Sequence, residues 1–455
     1  MKVSPELLYK YDRPGPRYTS YPTAPVWTTE FGAADQLERL VVAGAAADEP
    51  LALYVHLPFC ESMCWYCGCN VVITKNRTKI AGYVDRVLRE AALVRDAMGS
   101  SRPVVQHHWG GGTPTALSPE EITKLFAGLC ELFPLAEAAE VSIEVDPRVT
   151  TQAHIEALAA AGFNRISMGV QDFESEVQEA IHRVQSYQET ADLVTSARRH
   201  SFESVSLDLV YGLPHQRTDS FKATLDKVLE LSPDRLACYG YAHVPWLKKH
   251  QAVIPDEALP RGIDKLALYL VAMETLVSAG YEAIGMDHFA KPEDELARGM
   301  KNGTLHRNFM GYTTRPAEDM ISFGVTAISE VAGAFAQNDK GLLSWSDAID
   351  EGRLPVERGL LRSSEDELRR RVILDLMCRF KVRFDDHGGC QEFGQRYAVE
   401  LEKLQPHVRD GLLEIDAAEL RVTSLGRLFV RNLAMEFDPY LRRSASEGPM
   451  FSRTV

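Results

Sequence analysis

Residues 54–69 are Tyr54-Val-His-Leu-Pro-Phe-Cys60-Glu-Ser-Met-Cys64-Trp-Tyr-Cys67-Gly-Cys69, a C-x3-C-x2-C-x-C pattern that directly follows an apolar stretch. Thiolates are soft ligands that favour zinc or iron–sulfur clusters. Structural zinc usually takes paired C-x2-C hooks, and only one such hook is present here. Because a cluster carries iron at several corners, Cys60, Cys64 and Cys67 can hold three corners and leave the fourth iron open. The pattern therefore favours a catalytic iron–sulfur cluster, with a structural zinc knuckle or four unrelated buried cysteines as the alternatives.

The sequence around this loop alternates short apolar strands with helical segments. The predicted strands are Leu51–His56, Val104–Trp109, Val141–Val145, Arg165–Val170, Ser204–Val210, Arg235–Tyr239 and Tyr281–Gly285. The predicted helices are Ile80–Ala97, Pro119–Leu132, Thr151–Ala161, Ser220–Leu231 and Ile263–Ala279. This alternation indicates βαβ units and a parallel sheet. The first six strands are compatible with a partial barrel or with a doubly wound sheet.

Polar residues and glycines cluster where the predicted strands end. The second strand ends in GGGTPT, and Glu144, Gln171 and Asp208 lie at the ends of the next three parallel strands. In parallel α/β folds the chemistry lies at the carboxyl ends of the strands, so these groups should meet the cysteine loop on one face. The glycines allow a ligand to approach the backbone closely. A carboxylate such as Glu144 can accept hydrogen bonds from ribose hydroxyls, and Arg183 can meet a carboxylate.

The composition bounds the class of protein. The chain has 455 residues and a formal net charge of −14, which disfavours extensive binding of nucleic acid. No apolar run is long enough to suggest a membrane span, and the N-terminal residues lack the apolar core of a signal peptide. We therefore expect a cytoplasmic protein of two or three domains, in which crowded cysteines bind metal rather than form disulfides.

Three regions follow from these patterns: an N-terminal arm at 1–45, a catalytic domain at 46–355 and a C-terminal domain at 356–455. The arm shows weak periodicity and is predicted to be an extended arm that packs on another part of the protein, either as an ordered strap or in a role that faces the substrate. The C-terminal domain begins with a predicted capping box at Ser364–Glu367 and contains a helix near Glu392–Leu404 and a hairpin, so it is winged-helix-like in outline. Its arginines, Arg427 and Arg431 among them, are expected to be solvated.

Nine stretches of the chain resemble the oxygen-independent coproporphyrinogen III oxidase family of the radical S-adenosylmethionine superfamily: GPRYTSYPT, YVHLPFC…CWYCGCN, HWGGGTPT, SIEVDPR, GFNRISMGVQDF, DLVYGLPHQ, YAHVPW, GMDHFA and HRNFMGYTT. The resemblance implies an α/β fold with a partial (β/α)6 TIM-like barrel, an N-terminal arm and a small, mostly helical α+β C-terminal domain. It also implies one [4Fe–4S] cluster held by Cys60, Cys64 and Cys67.

The same resemblance implies two S-adenosylmethionine sites. The cluster-bound molecule is expected to meet Tyr54, Gly111 and Glu144. The second is expected to meet Tyr66, Gly112, Thr113, Gln171, Arg183, Asp208, Ala242 and Ile328. Tyr54 and Cys69 are the candidates for a catalytic role; Cys69 is not expected to bind the cluster, and a structural role for its thiol stays open.

The reaction that the resemblance implies is oxidative decarboxylation of two propionates of coproporphyrinogen III to vinyl groups, which gives protoporphyrinogen IX. The 5′-deoxyadenosyl radical would remove a β-hydrogen from each propionate. Reduced flavodoxin or a similar protein is the expected electron donor, and the expected oligomeric state is a monomer. Candidates for binding the substrate carboxylates are Arg17, Lys75, Arg77, His306 and Arg307, each with a solvated or structural role as the alternative.

Two other functions compete with this interpretation. A haem-trafficking chaperone of the same superfamily shares the cysteine loop, but such relatives typically lack Cys69 and the GPRYTSYPT arm. A zinc-containing structural or DNA-associated protein would account for the cysteines and the winged-helix-like tail, and it is disfavoured by the acidic composition.

Overall fold

The computed structural model describes residues 3–442 and 451–454. Its strands are β1 (Leu51–Leu57), β2 (Phe59–Cys60), β3 (Val72–Ile73), β4 (Val104–Gly111), β5 (Leu135–Val145), β6 (Arg165–Gln171), β7 (Ser204–Tyr211), β8 (Arg235–Gly240), β9 (Glu282–Gly285), β10 (His288–Ala290), β11 (His306–Asn308), β12 (Gly311–Thr313), β13 (Asp319–Phe323), β14 (Ile328–Val331), β15 (Ala334–Asn338), β16 (Val356–Leu361), β17 (Lys381–Arg383), β18 (Leu413–Ile415) and β19 (Glu419–Val422).

The helices of the same residues are α1 (Pro5–Tyr11), α2 (Ala33–Gly44), α3 (Arg77–Met98), α4 (Pro119–Leu132), α5 (Gln152–Ala161), α6 (Ser175–Ala180), α7 (Tyr187–Arg199), α8 (Thr218–Leu231), α9 (Ile263–Ser278), α10 (Glu295–Asn302), α11 (Leu342–Asp350), α12 (Ser364–Arg379), α13 (Cys390–Arg396), α14 (Ala398–Arg409) and α15 (Val430–Met435). Each of these described helices is too short or too polar to span a lipid bilayer.

One large sheet organises the molecule in the order β16-β15-β14-β13-β1-β4-β5-β6-β7-β8-β10-β9. The seven strands from β13 to β8 in this order run parallel. The strands β14–β16 and β9–β10 extend the two edges in antiparallel pairing. The predicted α/β architecture is thus confirmed, with six βα units from β1 to α9.

The sheet curves around an interior, which distinguishes a partial barrel from a doubly wound sheet. Alternate side chains of β4–β8 line one shared cavity, among them His108, Ser142, Ser167, Asp208 and Tyr239. The opposite side chains of the strands join the apolar core together with α3, α4, α5, α7, α8 and α9. The inward-facing side chains of these strands are mostly polar and line a ligand cavity, whereas the outward-facing side chains are apolar and are buried under the helices.

Local sequence signals explain several element ends. Ser118 and Glu121 form a reciprocal capping box at the start of α4. Gly99 ends α3 in the left-handed conformation. The predicted capping box of α12 was wrong by one residue, because Ser363 caps the helix and Asp366 completes the box. The side chain of Asp366 reaches back to the Ser363 N–H at 2.9 Å.

The N-terminal arm is ordered and contains two helices, α1 and α2, that weak periodicity did not reveal. Tyr11, Tyr18 and Tyr21 are buried in the same cluster as the core of the C-terminal unit. Further along, Trp27 stacks on Phe335 of β15 at a centroid distance of 5.0 Å. The arm therefore connects the barrel sheet and the C-terminal unit.

The C-terminal unit packs α12–α15 around the three-stranded sheet β17-β19-β18. The predicted hairpin corresponds to β18 and β19, and the predicted helix near Glu392–Leu404 is divided into α13 and α14. Arg431 is buried rather than solvated, so that expectation was wrong. Because β16 pairs with β15 in the large sheet, we propose that the barrel ends after Leu361 rather than at residue 355.

Candidate active site

The cysteine loop lies at the carboxyl end of β1, and side chains from two other loops hold its backbone. His182 Nδ1 lies 2.8 Å from the carbonyl oxygen of Met63, and His250 Nε2 lies 2.7 Å from that of Cys67. Gln251 and Lys248 donate to the carbonyls of Tyr66 and Cys69 at 2.9 and 3.1 Å. The loop is therefore held in place along most of its length by side chains from outside it.

Hydrogen-bond donors surround the sulfur atoms of this loop. Arg148 Nη2 and Arg183 Nη1 lie 3.4 and 3.6 Å from the Sγ of Cys64. The Cys60 Sγ lies 3.4 Å from the Thr113 hydroxyl. The backbone N–H of Cys69 donates to the Cys67 Sγ at 3.4 Å. Donors of this kind stabilise negative charge on sulfur and tune the potential of a bound cluster.

The thiols of the loop differ in acidity. A side-chain hydrogen bond from Cys69 is the main reason that the pKa of Cys67 is lowered to about 6. The same contact raises the pKa of Cys69 well above its usual value. Burial raises the pKa of the Cys60 thiol to about 11. Together with the backbone N–H of Cys69, this contact places the fourth cysteine beside Cys67, one of the three predicted ligands.

The glycine turn after β4 packs against β1 through His56. His56 Nε2 lies 3.1 Å from the Asn70 carbonyl, so this nitrogen carries the proton, and Nδ1 accepts from the Tyr54 hydroxyl at 3.1 Å. Burial lowers the pKa of His56, which keeps the ring neutral. Gly111 has φ +113°, and a Cβ there would lie 2.6 Å from the His56 ring. Only glycine therefore fits this close approach without strain.

Glu144 faces the barrel cavity beside the same turn. Its Oε2 accepts from the Gly111 N–H at 3.2 Å, and its Oε1 lies 3.6 Å from His108 Nε2. Burial acts to raise the pKa of Glu144, but the contacts with His108 and the Gly111 N–H lower it below its usual value. The carboxylate is therefore ionised and presents a free acceptor face to a ligand in the cavity.

Arg183 connects the cysteine loop to β5 and β6. It donates to Asp146 at 2.9 Å and to the Gly169 carbonyl at 2.7 Å. Burial acts to raise the pKa of Asp146, but Arg183 and Arg148 hold it below its usual value. Gln171 lies next to this group, since a Cβ at Gly169 would be 2.8 Å from Gln171 Nε2 and 3.0 Å from Arg183 Nη2. Two groups of the second predicted ligand site, Gln171 and Arg183, thus lie close together against Gly169.

The other predicted residues lie at the same edge but in separate contacts. Asp208 accepts from Ser167 at 3.0 Å, and burial raises its pKa to about 7. Tyr66 packs on a small apolar cluster with Tyr241, next to Ala242 in the loop after β8. Ile328 begins β14 and packs on Trp27 and Phe335.

The predicted carboxylate-binding cations divide into two sets. Lys75 and Arg77 are exposed and pair with Glu61 and Glu121, and His306 is also exposed. Arg17 and Arg307 are the two that point into the protein, and Arg307 is 6% exposed. Only these two, among the five, are placed near the barrel cavity.

Several functional residues escaped the sequence interpretation. Asp146 received no role in the site from its sequence context, whereas in the structure it pairs with Arg148 and Arg183 beside the sulfur of Cys64. The residues 248–251 that anchor the loop follow no periodic pattern. Their one signal in sequence is a cluster of polar side chains, KKHQ, in the long segment after β8.

These residues suit an iron–sulfur cluster. Three thiols in one loop are each contacted by a donor to sulfur, and two of those donors are guanidinium groups. With the loop following the first strand of a partial parallel barrel, the fold and site define a radical S-adenosylmethionine enzyme.

Comparisons with known proteins agree. The family model described as Radical SAM superfamily matches residues 54–228, and that of the HemN C-terminal domain matches residues 363–429. The chain is 43% identical to the oxygen-independent coproporphyrinogen III oxidase of Synechocystis sp., over 100% of this chain and 98% of that relative. It is 42% identical to the Escherichia coli protein of the same name, over 99% and 98%.

A solved structure gives the same result. The Escherichia coli coproporphyrinogen III oxidase (HemN), described as a radical SAM enzyme, superposes with a TM-score of 0.89 at 41% identity, covering 93% of this chain and 97% of that one. The chain belongs to the oxygen-independent coproporphyrinogen III oxidase family.

Proposed function

We propose that this protein converts coproporphyrinogen III to protoporphyrinogen IX by oxidative decarboxylation of two propionates to vinyl groups, a step of porphyrin and haem synthesis. The observation that carries the proposal is the cysteine loop with donors on its sulfurs, placed beside Gly111 and Glu144 at one edge of the barrel. Full-length relatedness to proteins named for this reaction supports it.

In this proposal Cys60, Cys64 and Cys67 bind three irons of one [4Fe–4S] cluster. The bound cluster and S-adenosylmethionine supply a 5′-deoxyadenosyl radical, which can remove a hydrogen atom from an unactivated carbon. Arg148 and Arg183 stabilise the charge on the sulfur of Cys64. The family relationship supports the cluster and S-adenosylmethionine as such.

We further propose two S-adenosylmethionine molecules. The first contacts Tyr54, the Gly111 turn and Glu144, whose free acceptor face suits ribose hydroxyls. The second contacts Tyr66, Gly112, Thr113, Gln171, Arg183, Asp208, Ala242 and Ile328. The adjacency of Gln171 and Arg183 around Gly169 supports a shared site for that molecule.

Each propionate then loses a hydrogen atom from its β-carbon to the radical, one electron to an acceptor, and its carboxyl group as carbon dioxide, leaving a vinyl group. The chain's part is to bind and orient the substrate, and this chemistry needs no general base. We propose reduced flavodoxin or a similar protein as the electron donor and a monomer as the working form. A loop of reduced cysteines suits the cytoplasm as the setting.

The test is anaerobic turnover of coproporphyrinogen III with dithionite and S-adenosylmethionine. We expect one 5′-deoxyadenosine for each propionate removed. Cys64→Ala should abolish turnover together with the EPR signal of the reduced cluster, whereas Cys130→Ala, a cysteine of α4 outside the loop, should retain both. Stable binding of haem with no decarboxylation would overturn the proposal in favour of a haem chaperone.

A further inference from the structure

Arg307, on β11, has a buried and incompletely partnered guanidinium group. The residue is 6% exposed, and its Nε and Nη1 are buried without a hydrogen-bond partner in the described residues. Its Cζ lies 4.7 Å from the centre of the Tyr312 ring. Burying a guanidinium with unmet hydrogen bonds is expensive, so such a group usually awaits an anion.

The neighbours of Arg307 add positive charge. Burial and the charge of Arg307 lower the pKa of Arg17. Burial and the charge of Arg17 lower the pKa of Arg431 to about 9. Arg431 donates to backbone carbonyls of the arm, including Pro16 at 2.9 Å, and these do not neutralise it. Within the described residues, Asp287 is the one carboxylate in an ion pair with any of the three arginines, through Arg17.

Three aromatic rings lie in a row between Arg17 and Arg307. The Arg17 Cζ lies 5.5 Å from the centre of the Tyr239 ring. Tyr239 meets His288 edge to face at 5.7 Å, and His288 meets Tyr312 in the same way at 5.2 Å. Burial lowers the pKa of His288 to about 3, so its ring is neutral. Arg17 and Arg307 therefore stand at the two ends of an uncharged aromatic surface.

This surface borders the cavity of the proposed reaction. Tyr239, His288 and Tyr312 line the barrel cavity together with Glu144 and Asp208. Arg17 and Arg307 stack on two of these rings, Tyr239 and Tyr312, and so lie next to the cavity that the two acids line. A ligand with an apolar body and several carboxylates fits this arrangement, because aromatic faces cover the body and guanidiniums pair with the carboxylates.

We propose that Arg307 and Arg17, with Arg431 behind them, are the receptor for carboxylate groups of the tetrapyrrole substrate. The inference rests on the proposed function for the identity of that substrate. The unpartnered N–H groups of Arg307, on Nε and Nη1, point to different sides of the guanidinium, and each can donate to a carboxylate oxygen. Arg17 supplies a second cation across the aromatic row. The three arginines come from the arm, the β11–β12 hairpin and the C-terminal unit, so the receptor is assembled from three parts of the chain.

The test compares Arg307→Met with Arg102→Met in the full-length, cluster-reconstituted protein. Arg102 is a matched control: it is 2% exposed, pairs with Asp319 and donates to the Glu49 and Pro50 carbonyls at 2.9 Å each. The probes are coproporphyrin III, which has four carboxylates, and mesoporphyrin IX, which has two, titrated by fluorescence. The EPR signal of the reduced cluster reports that the barrel is intact.

We expect Arg307→Met to bind coproporphyrin III on the order of tenfold to a hundredfold more weakly and to lose its preference over mesoporphyrin IX. Its ligand-free melting temperature should be unchanged or higher, because an uncompensated buried charge is removed. Arg102→Met should melt at lower temperature and keep the porphyrin affinity.

An unchanged affinity for coproporphyrin III in Arg307→Met would overturn the inference, as would a drop in melting temperature equal to that of Arg102→Met with the preference retained. In either case normal turnover by the wild-type protein would leave the proposed function standing. A wild-type protein that neither binds coproporphyrin III nor converts coproporphyrinogen III would overturn both.

Discussion

Replacing Gly111 by alanine tests whether the close packing of the glycine turn on His56 holds the binding site together. The substitution forces an alanine to φ +113° and puts its Cβ 2.6 Å from two atoms of the His56 ring. The backbone strain costs about 1–2 kcal/mol. The overlap costs about 1–3 kcal/mol more. The ring cannot yield freely, since Tyr54 and Asn70 hold both of its nitrogens at 3.1 Å.

The expected total is a loss of about 2–5 kcal/mol in the free energy of unfolding. We also expect affinity for S-adenosylmethionine to fall by about tenfold or more, because the Gly111 N–H that orients Glu144 moves. Calorimetric titration of the reconstituted protein measures the affinity, and urea denaturation measures stability. Gly99→Ala is the control: Gly99 also has positive φ, +69°, but a Cβ there meets nothing within 4 Å. If both variants bind S-adenosylmethionine and unfold alike, the argument from His56 is wrong.

Three further outcomes are expected. Cys69→Ser should keep its iron and its EPR signal, because Cys69 reaches Cys67 through a backbone N–H that serine retains; loss of iron would make it a ligand. Arg183→Gln should make the cluster's reduction potential more negative, since a cation leaves the sulfur of Cys64; EPR-monitored redox titration measures this, and an unchanged or raised potential contradicts it. Burial raises the pKa of Asp208 to about 7, so its folded form binds more protons than its unfolded form between about pH 4 and 7 and wild-type stability falls across that window. Asp208→Asn should remove this decline in urea denaturation curves, and parallel pH profiles would refute the assignment.

The parallel core of the fold was predictable because its signals are local. A buried strand such as Leu51–His56 is apolar along its length, and the structure extends it by one residue, to Leu57. The parallel strand β13 and the antiparallel strands β14–β16 were not predicted. The pair β14 and β15 is short and almost wholly buried, so it shows neither polar alternation nor a βα rhythm, and its pairing depends on the edge that β1 and β13 provide.

The residues of the candidate site also differ in whether their role depends on nearby or on distant parts of the sequence. The cysteine spacing and GGGTPT carry their meaning within a few residues, and the predicted groups lie at one edge of the sheet. The meaning of Arg431 depends on burial by the arm, more than 400 residues away in sequence. The role of Asp146 likewise depends on Arg183, which follows a different strand. Spacing in sequence carries no information on such contacts, and only the assembled fold reveals them.

The anchoring of residues 63–69 bears on how the apoprotein matures. Ordering one backbone residue costs about 1–2 kcal/mol of conformational entropy. Where the ligand loop is disordered, the free energy of metal binding must offset this entropy. In this protein the loop is already ordered by hydrogen bonds to its peptide carbonyls from four side chains: His182, Lys248, His250 and Gln251. A preassembled cluster can therefore be transferred to thiols that are already in position. A substitution that removes one of these four hydrogen bonds should slow the loading of iron, while protein that already holds the cluster should keep its turnover.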